Sequence, residues 1–293
     1  MTVDINFEKK KNIYVENLRE FNNRINIAKK QKEITLLELA NLYCGAYSDK
    51  EDIIPNLRET VTELSASDEI MFLSELCRAQ LSEQIKNILF IGSSESTLAG
   101  AHSKISYVKN RYNDLAFEHF SRSIVNAKAD YALSFSECCE NVFDGRCEFC
   151  ILPIMNSKDG RLMSFYNLLD RYELKICGTV EIDSEDNATT VKHAIISRAC
   201  KESKGRFQKY KNCIFEFSII DESTDFFASL FEAANKIGAQ LKGVDSLPIE
   251  YASDMQKFFF SFSLPQQNAL AFRLFVALNH QSYTPIGLYQ SDD

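Results

Sequence analysis

The sequence lacks any long apolar run, and this absence excludes a whole class of protein. No stretch of it reaches the roughly 20 residues that an α-helix needs to cross a bilayer. Its first residues, MTVDINFEKKK, contain no apolar stretch of the kind that a secretory signal peptide carries. We therefore expect a cytoplasmic protein with no membrane partner.

Basic residues are scarce for a protein that binds nucleic acid. Lys and Arg number 33 against 41 Asp and Glu, so the net charge is -8 and the isoelectric point is about 5.2. Nucleic-acid binders concentrate Lys and Arg because these side chains replace the counterions of the phosphates. The composition argues against nucleic acid as a partner, whereas a small anion, which needs only a local cluster of positive charge, stays open.

The nine cysteines do not form a paired set, because their number is odd and they lie in segments that look like buried helix and strand. This pattern argues against a disulfide framework. Among Cys138, Cys139, Cys147 and Cys150, the pair in CEFC has the spacing of a zinc knuckle, but the other two are adjacent and Cys150 opens an apolar strand. We favour small buried hydrophobic residues over zinc, and expect no metal and no cofactor.

Glycine and proline are almost missing from residues 1–86, and this segment predicts helix throughout. One long helix runs to about Tyr43, a break follows at GAYSD, and two shorter helices come next. Asp49 and Ser67 each precede an amphipathic run and are the expected N-caps. The segment is typical of a helical bundle or a dimerisation arm.

Strands and helices alternate in residues 87–204, which predicts a mostly parallel sheet with helices on both faces. One apolar strand, CILPI, runs into a polar turn that holds Asn156 and Ser157. Ligands of such sheets bind at the carboxyl ends of strands, so this turn is a candidate site, with Lys158 and Arg161 as a source of positive charge. The alternative is a turn whose Asn and Ser only cap the next helix.

Residues 205–293 read as strand, helix, strand, strand, helix, strand, which is the βαββαβ order of ferredoxin-like folds. The helix that begins near Phe227 carries an apolar stripe at helical spacing. The whole chain therefore predicts α/β and α+β architecture in three parts: a helical bundle over 1–86, a single α/β lobe over 87–204, and a βαββαβ unit over 205–293.

The stretch ILPIMNSKDGRLMSFYNLLDRYELKICGTVEI resembles the signature of the prephenate dehydratase family, in which an apolar strand enters P-I-E-N-S or P-I-E-N-T before a Gly and a helix. RYNDLAFEHF is similar to the family's G-S-Y-S-x-L-A-A helix, and the C-terminal unit resembles the ACT regulatory domain. The N-terminal helices are similar to the chorismate mutase of the bifunctional P-protein. The resemblance implies a periplasmic-binding-protein-like lobe and a role in phenylalanine biosynthesis.

The resemblance also implies site residues. The family removes water and carbon dioxide from prephenate, which requires an acid and groups that hold two carboxylates. Asn156 and Ser157 match the signature, whereas Met155 replaces its Glu. Asn113 corresponds to the small Ser of the first helix, as a substrate-binding residue.

A second motif, N-x-T-R-F, is similar to NATTV. Asn187 would bind substrate and Thr189 would be the proton donor, but Thr190 replaces the Arg. The family inserts a second lobe between Ile182 and Asn187, and its cleft lies between the lobes, whereas this chain connects the two points through DSED. A site without its opposite wall does not exclude water.

In the ACT-like unit, Asp245, Ser246 and Pro248 match the family's E-S-R-P ligand motif, but Leu247 replaces the Arg, so we expect no phenylalanine binding. In the mutase-like helices, Arg19 matches the first-helix arginine and Gln84 the last-helix glutamine. The central arginine falls on Leu36 and the lysine near Tyr47, which cannot hold a dicarboxylate.

Two hypotheses follow. The first is a non-catalytic relative of the bifunctional enzyme, a pseudoenzyme that forms a homodimer and binds a small aromatic carboxylate, an amino acid or a partner enzyme. The second is an active minimal prephenate dehydratase, a carbon-oxygen lyase, whose missing wall comes from another subunit.

Overall fold

The computed structural model describes residues 5–47, 53–78, 103–124, 126–184, 189–198, 211–221, 225–249 and 252–290. The helices are α1 (Ile5–Tyr47), α2 (Ile53–Val61), α3 (Ala66–Arg78), α4 (Arg111–Ser121), α5 (Phe135–Phe143), α6 (Met163–Arg171), α7 (Asp225–Lys236) and α8 (Ala269–Asn279). The strands are β1 (Lys104–Val108), β2 (Lys128–Ala132), β3 (Phe149–Asn156), β4 (Gly160–Arg161), β5 (Lys175–Asp183), β6 (Thr190–Ser197), β7 (Asn212–Asp221), β8 (Gln240–Ile249), β9 (Ala252–Pro265) and β10 (Thr284–Gln290).

The strands form a single 10-stranded mixed sheet in the order β2-β1-β3-β6-β5-β10-β7-β9-β8, with the short β4 paired to β3. β2, β1 and β3 are parallel neighbours, and β6 runs antiparallel between β3 and β5. From β10 to β8 the pairing is antiparallel, in the order expected for a βαββαβ unit. The predicted combination of α/β and α+β architecture with N-terminal helices is confirmed.

The lobe and the βαββαβ unit share this sheet because β5 pairs in parallel with β10 at Ile176 and Gly287. A Cβ atom on Gly287 would lie 2.8 Å from the carbonyl oxygen of Ile176 and 2.9 Å from its Cβ atom. A side chain is therefore excluded at the point where the two halves meet. The domain boundaries that we expect, 86/87 and 204/205, lie outside the described residues.

Helices cover both faces of the lobe half of the sheet. On one face α4 places Ala116 and Phe120 on Ile105, Ile151 and Ile195. On the other face, α5 and α6 form a second core with the opposite sides of the same strands. This two-sided cover leaves the ends of the strands as the exposed part of the lobe sheet.

The N-terminal helices pack on the helical face of the βαββαβ unit. α3 contacts both α7 and α8, and these helices share one core with α2 and the end of α1. In α1 the buried positions begin at Leu36. None of the described helices combines the length and the apolarity needed to cross a membrane.

Two local predictions need correction. The N-cap of α3 is Ser65 rather than Ser67, because the backbone N–H of Asp68 donates to the Ser65 Oγ at 3.3 Å and that of Glu69 to its carbonyl oxygen at 2.8 Å. The sequence does not predict the strand KISYV, which is β1, because its five residues give only a short alternation of polar and apolar side chains. Asp49 and the stretch NILFIG, with which the alternation predicted for residues 87–204 begins as a strand, lie outside the described residues.

Candidate functional site

The residues that the family resemblance singles out in the lobe lie at one edge of the sheet. The parallel strands β1, β3 and β5 end there, and the antiparallel β6 begins there, so that Asn156 pairs with Val191 and Asp183 with Thr190. We call this region the carboxyl edge. It contains Asn156 and Ser157 after β3, Thr189 before β6 and Asn113 near the start of α4, whereas Asn187 lies outside the described residues.

Asn156 and Ser157 belong to a tight β-hairpin between β3 and β4, in which Gly160 has a φ of 74°. The Asn156 Oδ1 accepts from the Lys158 N–H at 2.9 Å, and its Nδ2 donates to Asp159 at 3.0 Å. The helix α6 has Leu162 at its N-cap and no side-chain cap. The expectation that Asn156 and Ser157 cap this helix is therefore wrong: the hairpin separates them from it.

Ser157 joins the hairpin to β6. Its N–H donates to the Thr190 carbonyl oxygen at 2.9 Å, and its Oγ accepts from the Thr190 N–H at 3.0 Å. The Thr190 hydroxyl donates to Asp183 at 2.6 Å. Thr189 is held in the same way, since its N–H donates to the Ser184 Oγ at 3.0 Å and its carbonyl oxygen accepts from the Ser184 N–H at 2.8 Å. These groups satisfy one another across the edge.

Asn113 is buried under the end of β1. Its Nδ2 donates to the Val108 carbonyl oxygen at 2.6 Å, and its N–H donates to the N-cap residue Asn110 at 2.9 Å. The Asn113 side chain therefore fixes the start of α4 to the preceding strand. One of the two N–H groups of this amide is thus used in a structural bond within the chain.

The described charges at the hairpin tip have both signs, since Lys158 is exposed there beside Asp159. Asp159 and Asp183 are exposed beside the turn, and Lys192 forms an ion pair with Glu181 at 2.9 Å. Met155, which replaces the signature Glu, is 44% exposed. The carboxyl edge is thus solvent-exposed at the hairpin tip, with the Asp159 carboxylate in the turn and the Asp183 carboxylate at the end of β5.

Arg161, at the base of the same hairpin, points away from this edge. Its side chain is 10% exposed and forms an ion pair with Asp245 of β8 at 3.1 Å, while its Nη1 donates to the Phe259 carbonyl oxygen at 3.1 Å. Its guanidinium lies 4.9 Å from the ring centroid of Tyr166. Burial by itself lowers the pKa of Arg161, and the charges of Tyr166, Glu216 and Asp245 more than offset this, so that its pKa lies above the ordinary value.

Glu216 is the centre of a buried polar cluster beside Arg161, which we call the junction cluster: Arg161, Tyr166, Glu216, Asp245 and Tyr289. The Tyr166 hydroxyl donates to Glu216 at 2.7 Å, and the Tyr289 hydroxyl donates to its other oxygen. Burial raises the pKa of both tyrosines, and the neighbouring charge of Glu216 raises it further. The cluster connects α6 and β4 of the lobe to β7, β8 and β10.

The predicted ligand residues of the ACT-like unit lie on β8, the last strand of the sheet. Asp245 is engaged by Arg161, an arginine that comes from the lobe and not from the motif. Ser246 and Pro248 are exposed, and Leu247 packs against the lobe core. The three positions therefore share a strand without converging on a cavity that the described residues enclose.

Of the two mutase-like positions, the structure describes one. Arg19 is exposed on the part of α1 that precedes its contact with α3, and Gln84 lies outside the described residues. Leu36, where the family's central arginine falls, belongs to the core.

Two further groups of buried residues lie outside the motifs that the family resemblance singles out. His193 of β6 is buried, its Nδ1 has no hydrogen-bond partner, and burial lowers its pKa to about 4. The cysteines Cys138 and Cys147 are buried thiols, and burial raises the pKa of each to about 12. The described residues contain no cluster of three or more His, Cys, Asp or Glu side chains that could hold a metal ion.

No protein-family model and no curated protein matches the sequence. Solved structures that are similar in fold include the two that follow. A prephenate dehydratase from Streptococcus mutans gives a TM-score of 0.51 at 15% identity, over 64% of this chain and 97% of that chain. A protein described as GqqA, a novel type of quorum quenching acylase, gives a TM-score of 0.51 at 16% identity, over 66% of this chain and 97% of that chain. The chain thus has a mixed α/β fold like that of prephenate dehydratases.

Proposed function

We propose that the protein is a non-catalytic relative of the prephenate dehydratases, which serves aromatic amino acid metabolism by binding a ligand or a partner enzyme. The observation that carries this proposal is the position of Arg161. The arginine nearest to the signature turn is held by Asp245 and Phe259 in the junction cluster, so it is not available to a substrate at the carboxyl edge.

The charge of the edge supports the same reading. Prephenate is a dicarboxylate, and Asp159 and Asp183 would repel it, with about 1 kcal/mol for each pair of charges at 4 Å in water and more where water is excluded. Thr190, in place of the family's Arg, donates to Asp183 and brings no positive charge. Within the hairpin, the exposed Lys158 is one cation against two carboxylates, so at least one carboxylate would lack the cation that such a group requires.

The geometry also lacks the means to exclude water. β5 and β6 pair up to Asp183 and Thr190, so the segment that would lead into a second lobe is a short connection instead. The Asn156 amide and the backbone N–H groups of Ser157, Thr189 and Thr190 already have partners in the chain, and the tip of the hairpin is exposed. Electrostatic stabilisation of a transition state is weak at such a surface.

A second candidate is the active dehydratase whose site is completed by another subunit. The exposed Met155 and the open hairpin tip favour it, because they leave room for a second surface. Likeness in fold does not choose between the two candidates, since the acylase named above has a similar fold and a different described activity.

Phenylpyruvate formation from prephenate tests the proposal. We expect no turnover above background by the full chain across a range of protein concentrations that includes any oligomer. Thr189→Val removes the hydroxyl that would donate the proton, and Thr62→Val, an exposed threonine in the helical layer, is the matched control. Turnover that is lost in Thr189→Val and kept in Thr62→Val would contradict the proposal and support the second candidate.

The βαββαβ unit should not bind phenylalanine. The carboxylate of Asp245 is already paired with Arg161, and Leu247 cannot donate to the amino acid's carboxylate. Calorimetric titration with phenylalanine should give no saturable heat at millimolar concentration. Saturable binding that Asp245→Asn weakens would show that the site is retained.

A further inference from the structure

The helical layer, which we define as α1, α2 and α3, is held on the βαββαβ unit through α3. This helix packs against α1 within the layer and against α7 and α8 of the unit. Its side chains Ile70, Phe72, Leu73 and Leu76 are fully buried in the core that the layer and the unit share. A polar group in this contact surface is therefore removed from water and depends on its partners.

One carboxyl group lies in the contact surface. Glu69, in the first turn of α3, is 3% exposed, and its Oε1 atom accepts a hydrogen bond from the Asn279 Nδ2 atom of α8 at 2.6 Å. Asn279 Nδ2 also donates to the Phe275 carbonyl oxygen at 2.9 Å, so both N–H groups of this amide are used. Across the interface, Glu69 thus meets a neutral amide and not a cation.

The adjacent Asp68 has the opposite surroundings. Its carboxylate forms an ion pair with Lys32 of α1 at 2.6 Å and accepts from the Ser65 hydroxyl at 2.6 Å. Burial raises the pKa of Asp68, but these partners more than offset burial, so its pKa lies below the ordinary value. Burial raises the pKa of Glu69 to about 7, because only the Asn279 hydrogen bond opposes it. Two successive carboxyl groups of one helix therefore differ in the charge state that docking favours.

The charged and titratable groups on the helices packed against α3 act on other partners. They are Lys32 of α1, Glu232 and Lys236 of α7, and Arg273 and His280 at the end of α8. The two lysines act on Asp68, and Glu232 accepts from the Ser67 N–H at 3.3 Å. The charge of Arg273 acts on Tyr283. The His280 Nε2 atom lies 3.4 Å from the Asp221 carboxylate. Burial and the Asn279 amide alone shift the pKa of Glu69, so its charge is linked to the docking of α3.

We propose that Glu69 makes the docking of the helical layer on the βαββαβ unit depend on pH. While its carboxyl group is neutral, α3 stays closed on α7 and α8. Loss of the proton places a charge without a counter-ion in the buried contact surface, and release of α3 lets water hydrate that charge. Acidification therefore tightens the layer, and a rise in pH increases the fraction of molecules in which α3 is open. This inference does not depend on whether the carboxyl edge is catalytic.

Hydrogen exchange of the full chain between pH 5 and pH 8, followed by mass spectrometry and corrected for intrinsic exchange rates, measures how often α3 opens. The pKa of Glu69 is about 7 in the closed form against an ordinary 4.5, so docking weakens as the pH rises between these values and levels off above them. The equilibrium constant for opening of α3 should rise by roughly 50-fold from pH 5 to pH 8. Peptides of the lobe strands β3 and β6 should not share this rise.

Glu69→Gln and Glu75→Gln form a matched pair of variants. Both remove one carboxylate from α3, but Glu75 is only partly buried and pairs with the exposed Arg78. Glutamine keeps the shape of Glu69 and does not ionise, so opening in Glu69→Gln should vary by less than about threefold over the same pH range. Glu75→Gln should keep the pH profile of the wild type.

Nuclear magnetic resonance titration of the side-chain carboxyl carbons in the wild type reads the proton on Glu69 directly and requires no variant. We expect a midpoint near 7 for Glu69. A midpoint near 4.5, a flat exchange profile for α3 in the wild type, or a pH dependence that Glu69→Gln retains would overturn the proposal. An equal rise in β3 and β6 would also overturn it, because the whole chain would then be unfolding and not the helical layer alone.

Discussion

The two ends of the β3–β4 hairpin differ in what surrounds them. At the tip, Ser157 is exposed and Asn156 is half-buried, and both bond to neighbouring backbone. At the base, Arg161 enters the buried junction cluster around Glu216. The residues at the tip match a family motif, whereas the residues at the base belong to a cluster of buried polar groups.

This difference teaches that burial, and not motif identity, decides how much a polar residue contributes. A neutral hydrogen bond at an exposed tip replaces a hydrogen bond with water, so it contributes little to the free energy of unfolding. A buried charged group that loses its partner stays desolvated without compensation, and this lowers the free energy of unfolding by several kcal/mol, roughly 3–5. Variants at the base should therefore affect stability far more than variants at the tip.

The largest effect should come from Glu216→Ala in the junction cluster. The change leaves two buried tyrosine hydroxyls without their acceptor and leaves Arg161 with Asp245 as its remaining carboxylate neighbour in the cluster, and it should lower the free energy of unfolding by about 3–5 kcal/mol. Urea denaturation measures this value. Glu232→Ala, at an exposed position on α7, is the control and should cost less than about 1 kcal/mol. Equal effects would contradict the role given to the cluster.

The pH dependence of stability compares a buried group of the lobe sheet, His193 of β6, with a buried group of the N-terminal helices, Glu69 of α3. Burial lowers the pKa of His193 to about 4 from an ordinary 6.5, so the unfolded chain binds more protons and stability falls as the pH drops from 6.5 towards 4. Burial raises the pKa of Glu69 to about 7 from 4.5, in spite of the Asn279 hydrogen bond, so stability falls as the pH rises from 4.5 to 7.

These opposite slopes, each spanning about 3 kcal/mol, should nearly cancel in the wild type between pH 4.5 and 6.5. His193→Phe should leave the slope of Glu69, so that this variant becomes more stable as the pH falls. Glu69→Gln should leave the slope of His193 and lose stability in the same direction. Denaturation curves at several pH values check this, and parallel profiles for the two variants would contradict it.

Arg161→Met should have an intermediate effect at the base of the hairpin. It keeps much of the side-chain volume but removes the hydrogen bond to the Phe259 carbonyl oxygen and the ion pair with Asp245. We expect a loss of about 2 kcal/mol in urea denaturation, moderated because the Asp245 side chain is half exposed. Lys158→Met at the exposed tip is the control and should change stability by less than about 0.5 kcal/mol.

The smallest effect should come from Ser157→Ala at the tip. It removes one acceptor for the Thr190 N–H, which water can replace at this exposed position, so the expected loss is about 0.5–1 kcal/mol. Differential scanning fluorimetry against Ser164→Ala, an exposed serine of α6, resolves so small a change. A loss comparable to that of Arg161→Met would show that the tip is more than a solvated turn.

The sequence predicts the order of elements well because that order depends on local periodicity. The long first helix, the strand before Asn156 and the βαββαβ order all follow from patterns within a few residues. The misplaced cap at Ser67 has a similar cause, since Ser65 and Ser67 both precede the same helix and only the backbone geometry selects Ser65.

The junction cluster could not be predicted in this way. Tyr166 and Glu216 are 50 residues apart, and Arg161 and Phe259 are 98 apart, so no local spacing connects them. The sequence also gave no sign that Asp245 would meet an arginine from the lobe. A buried Glu in the alternating strand NCIFEFSII was the one available signal, because a charged residue within an apolar strand requires partners.

The most direct test of the central claim is calorimetric titration of the full chain with prephenate. The claim is that the carboxyl edge has lost its dicarboxylate site because Arg161 belongs to the junction cluster and because Asp159 and Asp183 flank the tip. We predict no saturable heat at millimolar prephenate, for the wild type and for Thr189→Val alike. Saturable binding to the wild type that Thr189→Val weakens and Thr62→Val leaves unchanged would contradict this account.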